Sequence, residues 1–170
     1  MCPYSMVAFE RIPMSADAQR DYLSAEADRM KDFIAASREA DGMSVKRLQG
    51  ALLRAEERIK KKLDSAKDPG ITFEATGIDY LFIDEAHGYK NLRTPSNIPD
   101  AAIDGSMRAS DLDMKISYLA GRNGRRVVTF ATATPIANSI TEAYVMQHYL
   151  RPDLLESAGI TDFDTWAATF

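Results

Sequence analysis

Two short apolar runs limit the folds that are open to this chain. Residues 78–83 (IDYLFI) are rich in β-forming side chains, and residues 125–132 (RRVVTFAT) repeat that character further along the sequence. Runs of this length and content predict buried strands. A helical pattern lies between the two runs, and another is predicted over about residues 140–150. Strands that alternate with helices predict an α/β fold with a parallel sheet.

The connection between the two predicted strands divides into a loop and a helix. Residues 89–110 are polar and contain Gly and Pro, which predicts a loop. Ser110, followed three residues later by Asp113, resembles the capping pattern at the start of a helix. We therefore expect a helix from there to about Ala120, ended by the glycines at 121 and 124.

The first 68 residues predict a short strand and then two helices. Residues 4–12 (YSMVAFERI) are typical of a strand, and Ser15 is a suitable N-cap for the helix that follows. The apolar residues of this helix fall on one face, as do those of a second helix over 45–63, namely Leu23, Ala27, Met30 and Ile34, then Val45, Leu48, Leu52, Ile59 and Leu63. Two amphipathic helices with a break at Gly42 predict an antiparallel helical hairpin over 15–68.

The second helix of this hairpin is basic. Residues 46–67 contain eight Lys or Arg against three acids, and Lys60, Lys61 and Lys62 are consecutive. One interpretation is a solvated outer face, which is the usual role of a charge run. The other is a surface that follows a nucleic-acid backbone.

Composition describes an ordinary globular domain and excludes several classes. The chain has 170 residues, is 45% hydrophobic and 27% charged, and carries a net charge of −4. Its single cysteine, Cys2, excludes an internal disulfide and a cysteine-based metal cluster. No apolar run approaches the roughly 20 residues that a membrane span needs, so we expect no membrane association. The N-terminus lacks the pattern of a secretion signal, and we expect a cytoplasmic protein.

The first predicted strand ends in two carboxylates, Asp84 and Glu85. The carboxyl edge of a parallel sheet is where α/β proteins bind ligands. An Asp there can hold Mg²⁺ directly or through water, and a neighbouring Glu can activate an attacking water. His87 is placed to relay hydrogen bonds to an adjacent strand. The alternative is that the acidic pair only caps a strand-to-helix turn.

The letters around this pair carry a family resemblance. The sequence YLFIDEAHGYKNL resembles motif II, the Walker B motif, of the superfamily 2 helicases and translocases. The sequence ATATPIANSITEAYVMQHYLRPDLL (131–155) resembles motif III of their Swi2/Snf2-like branch, including large helicase proteins of phages and mobile elements, some fused to DNA methyltransferases. The resemblance is strong over about 71–155 and implies part of the first RecA-like lobe of a P-loop NTPase, with the hairpin as an insertion.

Residue roles follow from that resemblance, position by position. Asp84 would hold Mg²⁺–ATP through water, and Glu85 would be the catalytic base. His87, Thr132 and Thr134, with Pro135 and Asn138, would couple the nucleotide state to DNA. Lys90 and Asn91, which match the family's Lys-Asn step, are candidate nucleic-acid contacts together with the lysines at 60–62. The alternative for the threonines is that they are merely good strand formers at a strand exit.

One expected motif is missing from the sequence. No G-x-x-x-x-G-K-[ST] occurs, so the loop that holds ATP phosphates must come from elsewhere, as must the second RecA-like lobe. We therefore expect four segments: 1–14 as a strand of the lobe, 15–68 as the hairpin, 69–155 as the lobe core, and 156–170 as a tail. The expected function is a fragment of an ATP-dependent helicase or translocase acting on duplex DNA, inactive by itself. A non-catalytic DNA- or protein-binding module, or a decayed relic, are the alternatives.

Overall fold

The structure is a computed structural model, and it describes residues 12–36, 49–50, 53–54, 57 and 70–170. The chain divides into two compact units, Met1–Gly77 and Ile78–Phe170. Each unit is described separately below.

Helix α1, Ala16–Ala36, is the main element of the first unit within the described residues. Ser15 caps it as the sequence predicts, because its hydroxyl accepts a hydrogen bond from the Ala18 amide at 3.2 Å. Of the predicted apolar face, Ala27, Met30 and Ile34 are buried and Leu23 is half-buried. Phe33, which the pattern missed, is buried as well. The helix therefore begins where a local cap places it and buries a single stripe.

A short 3₁₀ segment, Phe73–Thr76, returns the chain to the start of α1. The Phe73 amide donates to the carbonyl of Pro13 at 2.8 Å, and Phe73 and Met14 are both almost fully buried. The Glu74 carboxylate accepts the Ser15 amide at 3.0 Å. Burial opposes ionisation of Glu74, but hydrogen bonds led by those from Ser15 hold its pKa below the ordinary value.

Part of the predicted first unit lies outside the described residues. Of the predicted strand at 4–12, only residue 12 is described, and the lysines at 60–62 are not described. The structure therefore gives no account of either prediction. Of the predicted second helix, residues 49, 50, 53, 54 and 57 are described, and all five are helical. The antiparallel hairpin remains a prediction.

Two strands of the second unit form a parallel sheet, as the sequence predicts. Strand β1 is Leu81–Asp84 and strand β2 is Val128–Ala131. They pair directly and in parallel, with Leu81 opposite Val128 and Asp84 opposite Ala131. Parallel neighbours require a crossover connection, which here contains helix α2, Met107–Asn123. The α/β class is therefore confirmed, although the sheet has two strands within the described residues.

The expectation that both strands are buried is wrong for one face of the sheet. Leu81 and Ile83 are buried, whereas Phe82 between them is 76% exposed. In β2, Thr129 and Ala131 are exposed as well, and the residues of the other face are half-buried. Successive side chains of a strand point to opposite faces, so a strand packed on one side must show this alternation. Apolar content alone does not distinguish one packed face from two.

Helix α2 begins four residues before the predicted position. Its N-cap is Ser106, which has an extended backbone and accepts the Ala109 amide at 3.2 Å. Ser110 lies inside the first turns, and Asp113 is buried. The helix also continues through Gly121 and ends at Gly124, whose φ of 82° suits glycine. A serine caps the helix as the sequence predicts, but the capping residue is Ser106 and not Ser110.

Three further helices complete the second unit: α3, Thr141–Leu150; α4, Pro152–Ser157; and α5, Phe163–Thr169. Helix α3 matches the predicted helix. Tyr144, Tyr149 and Trp166 are buried in the core. The Tyr149 ring meets Phe130 of β2 edge-on at 5.4 Å, and its hydroxyl lies 3.0 Å from the Ala109 carbonyl. Tyr149 therefore joins β2, α2 and α3 in one core.

The loop between β1 and α2 is held at both ends. An isolated antiparallel bridge pairs Thr94 with Ile103. Gly105 has a φ of 89°, and a Cβ there would lie 2.9 Å from Cβ of Arg93, so only glycine fits. The Asp164 carboxylate of α5 accepts the Asn97 amide at 2.8 Å. These contacts give the loop a defined path from β1 to α2.

Candidate functional site

The acidic pair lies at the carboxyl end of β1, directly beside the exit of β2. Asp84 is the last residue of the strand and pairs with Ala131, the residue before Thr132. Glu85 then adopts a left-handed conformation, with φ 54° and ψ 44°, and a 3₁₀ turn follows at Ala86–Tyr89. Non-glycine residues rarely adopt this conformation, so the turn after β1 carries local backbone strain at Glu85. It leaves the Glu85 side chain exposed.

His87 connects the two strand exits. Its Nδ1 atom lies 2.9 Å from Oε2 of Glu85 and 3.5 Å from the Thr132 hydroxyl oxygen. The Thr132 hydroxyl in turn accepts the backbone amide of Thr134 at 3.2 Å. A chain of polar contacts thus runs from the acidic pair to the segment after β2. The structure therefore brings the predicted site residues Asp84, Glu85, His87, Thr132 and Thr134 to one edge of the sheet.

A second connection lies deeper and was not predicted. Lys90 Nζ is 3.1 Å from Oε2 of Glu142, in the first turn of α3, and 3.5 Å from the Thr134 carbonyl oxygen. The two charged side chains are only 9% and 5% exposed. A buried ion pair of this kind holds its two chain segments at a fixed separation, because either charge alone would be costly inside the protein.

Glu142 also collects backbone amides from the segment after β2. Its Oε2 atom accepts the amides of Ala137 at 2.6 Å and Asn138 at 3.2 Å. Burial opposes ionisation, but these hydrogen bonds and the one from Lys90 hold the pKa of Glu142 below its ordinary value. The carboxylate is therefore charged at neutral pH and holds the backbone at Ala137 and Asn138 against the first turn of α3.

The remaining predicted site residues differ in their exposure. Thr134, Pro135 and Asn138 lie on an exposed loop, and Asn91 is exposed after the 3₁₀ turn. Lys90 does not share this position. Its amine is directed to Glu142, so in this structure it holds two protein segments together. A nucleic-acid role for Lys90 and Asn91 stays a prediction.

The residues present can be compared with the needs of Mg²⁺–ATP. Among the described residues, no group of three or more His, Cys, Asp or Glu side chains could hold a metal ion on its own. Mg²⁺ in nucleotide sites, however, takes one or two carboxylates and completes its shell with water and phosphate oxygens. Asp84, half-buried at a strand end with exposed Glu85 beside it, fits that requirement. Two carboxylates of a suitable kind are therefore present at this edge, and the sequence contains no Walker A pattern.

Glu142 is the functional candidate that sequence reasoning missed. A recognisable signal precedes it, since Ser139–Glu142 reads S-x-x-E, the pattern of a capping box. In the structure the Glu142 amide donates to the Ser139 carbonyl at 3.1 Å, while the carboxylate reaches back to earlier amides. The pattern predicts a helix start, but it does not reveal the lysine partner from a distant part of the chain.

Parallel strands with acids at one exit and hydroxyls at the next define an α/β protein with polar side chains gathered at the carboxyl edge of its sheet, where ligands bind in other α/β proteins. The chain belongs to the family described as "Probable helicase domain", whose profile matches residues 4–170. It is also similar to the Defense against restriction protein B of Escherichia phage P1, with 30% identity over 177 residues. That alignment covers 95% of this chain and 7% of the relative, so the chain spans a small part of the relative's length.

Two further findings concern structure. No solved structure matches the chain. Within the part of the chain that the structure describes, none of the helices combines the length and apolar character that crossing a membrane requires.

Proposed function

We propose that this chain is the motif II–motif III part of the first RecA-like lobe of an ATP-dependent DNA helicase or translocase of the Swi2/Snf2-like branch. The proposal depends on one observation above all. Asp84 and Ala131 are paired at the ends of parallel strands, so the DEAH residues and the Thr132–Asn138 segment begin at the same sheet edge. Membership of the helicase-domain family supports the assignment.

The proposed chemistry assigns a separate task to each side chain. Bound Mg²⁺–ATP would supply the phosphoryl group and neutralise its charge. Asp84 would hold the metal through water, and Glu85, exposed beside it, would orient and deprotonate the attacking water. His87 contacts both Glu85 and Thr132, so it would report the state of the acidic site to the loop after β2. That loop would transmit the change to duplex DNA.

The phosphate-binding loop and second lobe would come from other parts of the whole protein. Backbone amides of a Walker A loop cradle the phosphates, and its lysine reaches the β- and γ-phosphates. The relative's much greater length is consistent with further segments. We propose that the protein works in the cytoplasm, where ATP and DNA occur together.

Steady-state ATP hydrolysis by the full-length protein that contains this domain, with and without duplex DNA, tests the proposal. Glu85→Gln keeps the size of the side chain and removes the general base. Such a base contributes about 100-fold or more to rate, so we expect turnover to fall by at least that factor. ATP binding, measured with a fluorescent analogue, should persist, because Asp84 is unchanged.

Glu156→Gln is the matched control. This glutamate lies on α4 with a 70% exposed side chain, and its carboxylate lies 3.7 Å from the Arg125 guanidinium. Its removal should leave turnover within about twofold of the unmodified protein. Equal turnover in the Glu85→Gln protein and the unmodified protein would exclude the proposed role of the acidic pair.

A further inference from the structure

The buried pair of Lys90 and Glu142 lies at the centre of the connection between the two strand exits. Lys90 directly follows the 3₁₀ turn that carries His87. Glu142 belongs to the first turn of α3, after the exposed loop that contains Thr134 and Asn138. The Nζ–Oε2 distance is 3.1 Å, and both side chains are at least nine-tenths buried. The pair therefore links the two segments beneath the exposed polar contacts of His87.

The pair holds several points of the loop at once. Glu142 accepts the amides of Ala137 and Asn138 at 2.6 and 3.2 Å, and Asn138 Nδ2 lies 3.5 Å from its other oxygen. Lys90 donates to the Thr134 carbonyl at 3.5 Å. Together the two side chains hold both ends of the stretch from Thr134 to Asn138.

Simple stability does not account for this choice of residues. A pair of buried charges is often no more stabilising than apolar residues of similar volume, because desolvation offsets the attraction. A charged pair does, however, have a narrow geometry, and it fails if one segment shifts relative to the other. Such a pair suits two segments whose relative position matters more than their stability.

We propose that Lys90 and Glu142 form a positioning pair that makes the loop after β2 respond to the DEAH site, so that DNA binding stimulates ATP hydrolysis. The inference rests on the proposed function, and it concerns coupling, not the chemical step. Neither side chain touches substrate. Lys90 acts through the Thr134 carbonyl, and Glu142 acts through the amides of Ala137 and Asn138.

The test uses the full-length protein and three variants: Glu142→Gln, Lys90→Met and the double variant. Two ATPase rates are measured for each, one without DNA and one at saturating duplex DNA, together with duplex affinity and melting temperature. For Glu142→Gln we expect the ratio of the two rates to fall about tenfold, within the range of known coupling effects. The DNA-free rate should change less than about twofold, because Glu142 is not part of the chemical site.

The double variant separates positioning from direct DNA contact. If the two residues act as a unit, the double variant loses no more stimulation than either single variant. Duplex affinity then stays near that of the unmodified protein in all three. A loss of affinity confined to proteins that lack Lys90 would overturn the inference in favour of a direct phosphate contact.

The double variant also covers a failure of the single variants to fold. Each single change leaves one unpaired buried group, whereas the double change leaves no unpaired charge. A folded double variant with reduced stimulation supports the proposal, and one with unchanged stimulation overturns it. A role in stability alone would lower the melting temperature and reduce both rates together, leaving their ratio unchanged, which would also overturn the proposal.

An exposed ion pair supplies the control. Arg125 and Glu156 are 51% and 70% exposed, and Arg125→Met with Glu156→Gln should leave the rate ratio unchanged. The outcome of Glu85→Gln shows which proposal has failed. If that variant hydrolyses ATP normally, the proposed function is wrong. If it is inactive while the Lys90 and Glu142 variants are stimulated normally, only the positioning role is wrong.

Discussion

The backbone conformation of Glu85 is one that the surrounding sequence does not predict. Its left-handed backbone, at φ 54°, turns the chain directly out of β1, and the Gly88 amide donates to its carbonyl at 3.0 Å. Left-handed positions usually carry Gly or Asn, and another residue there costs roughly 1–2 kcal/mol. We expect the contact that this turn creates to offset the strain, because the turn brings His87 back over the strand exit, 2.9 Å from the Glu85 carboxylate.

The ionisation of Glu142 leads to a prediction about acid stability. The folded-state pKa of this group is lower than its ordinary value of 4.5, so its ionised form stabilises the fold. That contribution is complete above about pH 5 and is lost as the pH falls through the lower, folded-state pKa. We expect the free energy of unfolding of the 170-residue chain to decrease over that acid range, and the Glu142→Gln variant to show a shallower decrease.

Urea denaturation at a series of pH values between about 3 and 7 measures this effect. Glu74, whose pKa is also lowered, contributes with the same sign, so some slope remains in the variant. The exposed Glu156 is the control residue, and Glu156→Gln should keep the steeper slope. Identical slopes for Glu142→Gln and the unmodified chain would contradict the prediction.

The elements follow local sequence closely in kind and less closely in their limits. Strands β1 and β2, α1 and α3 all occur where apolar patterns predict them, because periodicity depends on neighbouring residues alone. Helix α2 begins away from its predicted position, because both Ser106 and Ser110 carry a hydroxyl that can cap a helix. Ser106 is held in the capping position because its own backbone amide donates to the Asn91 carbonyl at 2.8 Å. That contact joins distant parts of the chain.

The two serines offer a direct test of which one caps α2. Ser106→Ala removes the side-chain acceptor of the Ala109 amide and should lower the free energy of unfolding by about 1 kcal/mol. Ser110→Ala changes a residue inside the helix, where alanine is favourable, and should alter stability by less than about 0.5 kcal/mol. Thermal and urea denaturation of the two variants measure the difference. A larger loss for Ser110→Ala would mean that the helix begins later.

At the scale of the whole molecule, the second unit has large apolar side chains exposed on one face of its sheet and two carboxylates at the exit of β1. Phe82 is 76% exposed and Tyr80 is 39% exposed, and their rings are 4.9 Å apart. The sequence contains D-E-A-H at 84–87 but no G-x-x-x-x-G-K-[ST], and the chain corresponds to 7% of the length of its relative. These features agree with the proposed function, in which other segments supply the phosphate-binding loop.

An activity measurement on the isolated 170-residue chain follows from this view. Without a phosphate cradle, Asp84 has little Mg²⁺–ATP to hold, so we expect no hydrolysis above that of the Glu85→Gln variant, with or without duplex DNA. Release of radiolabelled phosphate gives the required sensitivity, and the full-length protein is the positive control. Turnover that exceeds the Glu85→Gln background would mean that this chain contains a phosphate-binding site of its own.

Sequence alone determined the α/β class, the parallel order of the strands and the edge at which Asp84, Glu85 and Thr132 meet. These follow from short-range apolar patterns and from the rule that parallel strands end on the same side. Only the tertiary structure decided that β1 is packed on one face, that Ser106 caps α2, and that Lys90 is buried against Glu142. Burial and ion pairing depend on which distant segments of the chain pack together. A local pattern of residue types does not specify which distant segment will pack against it.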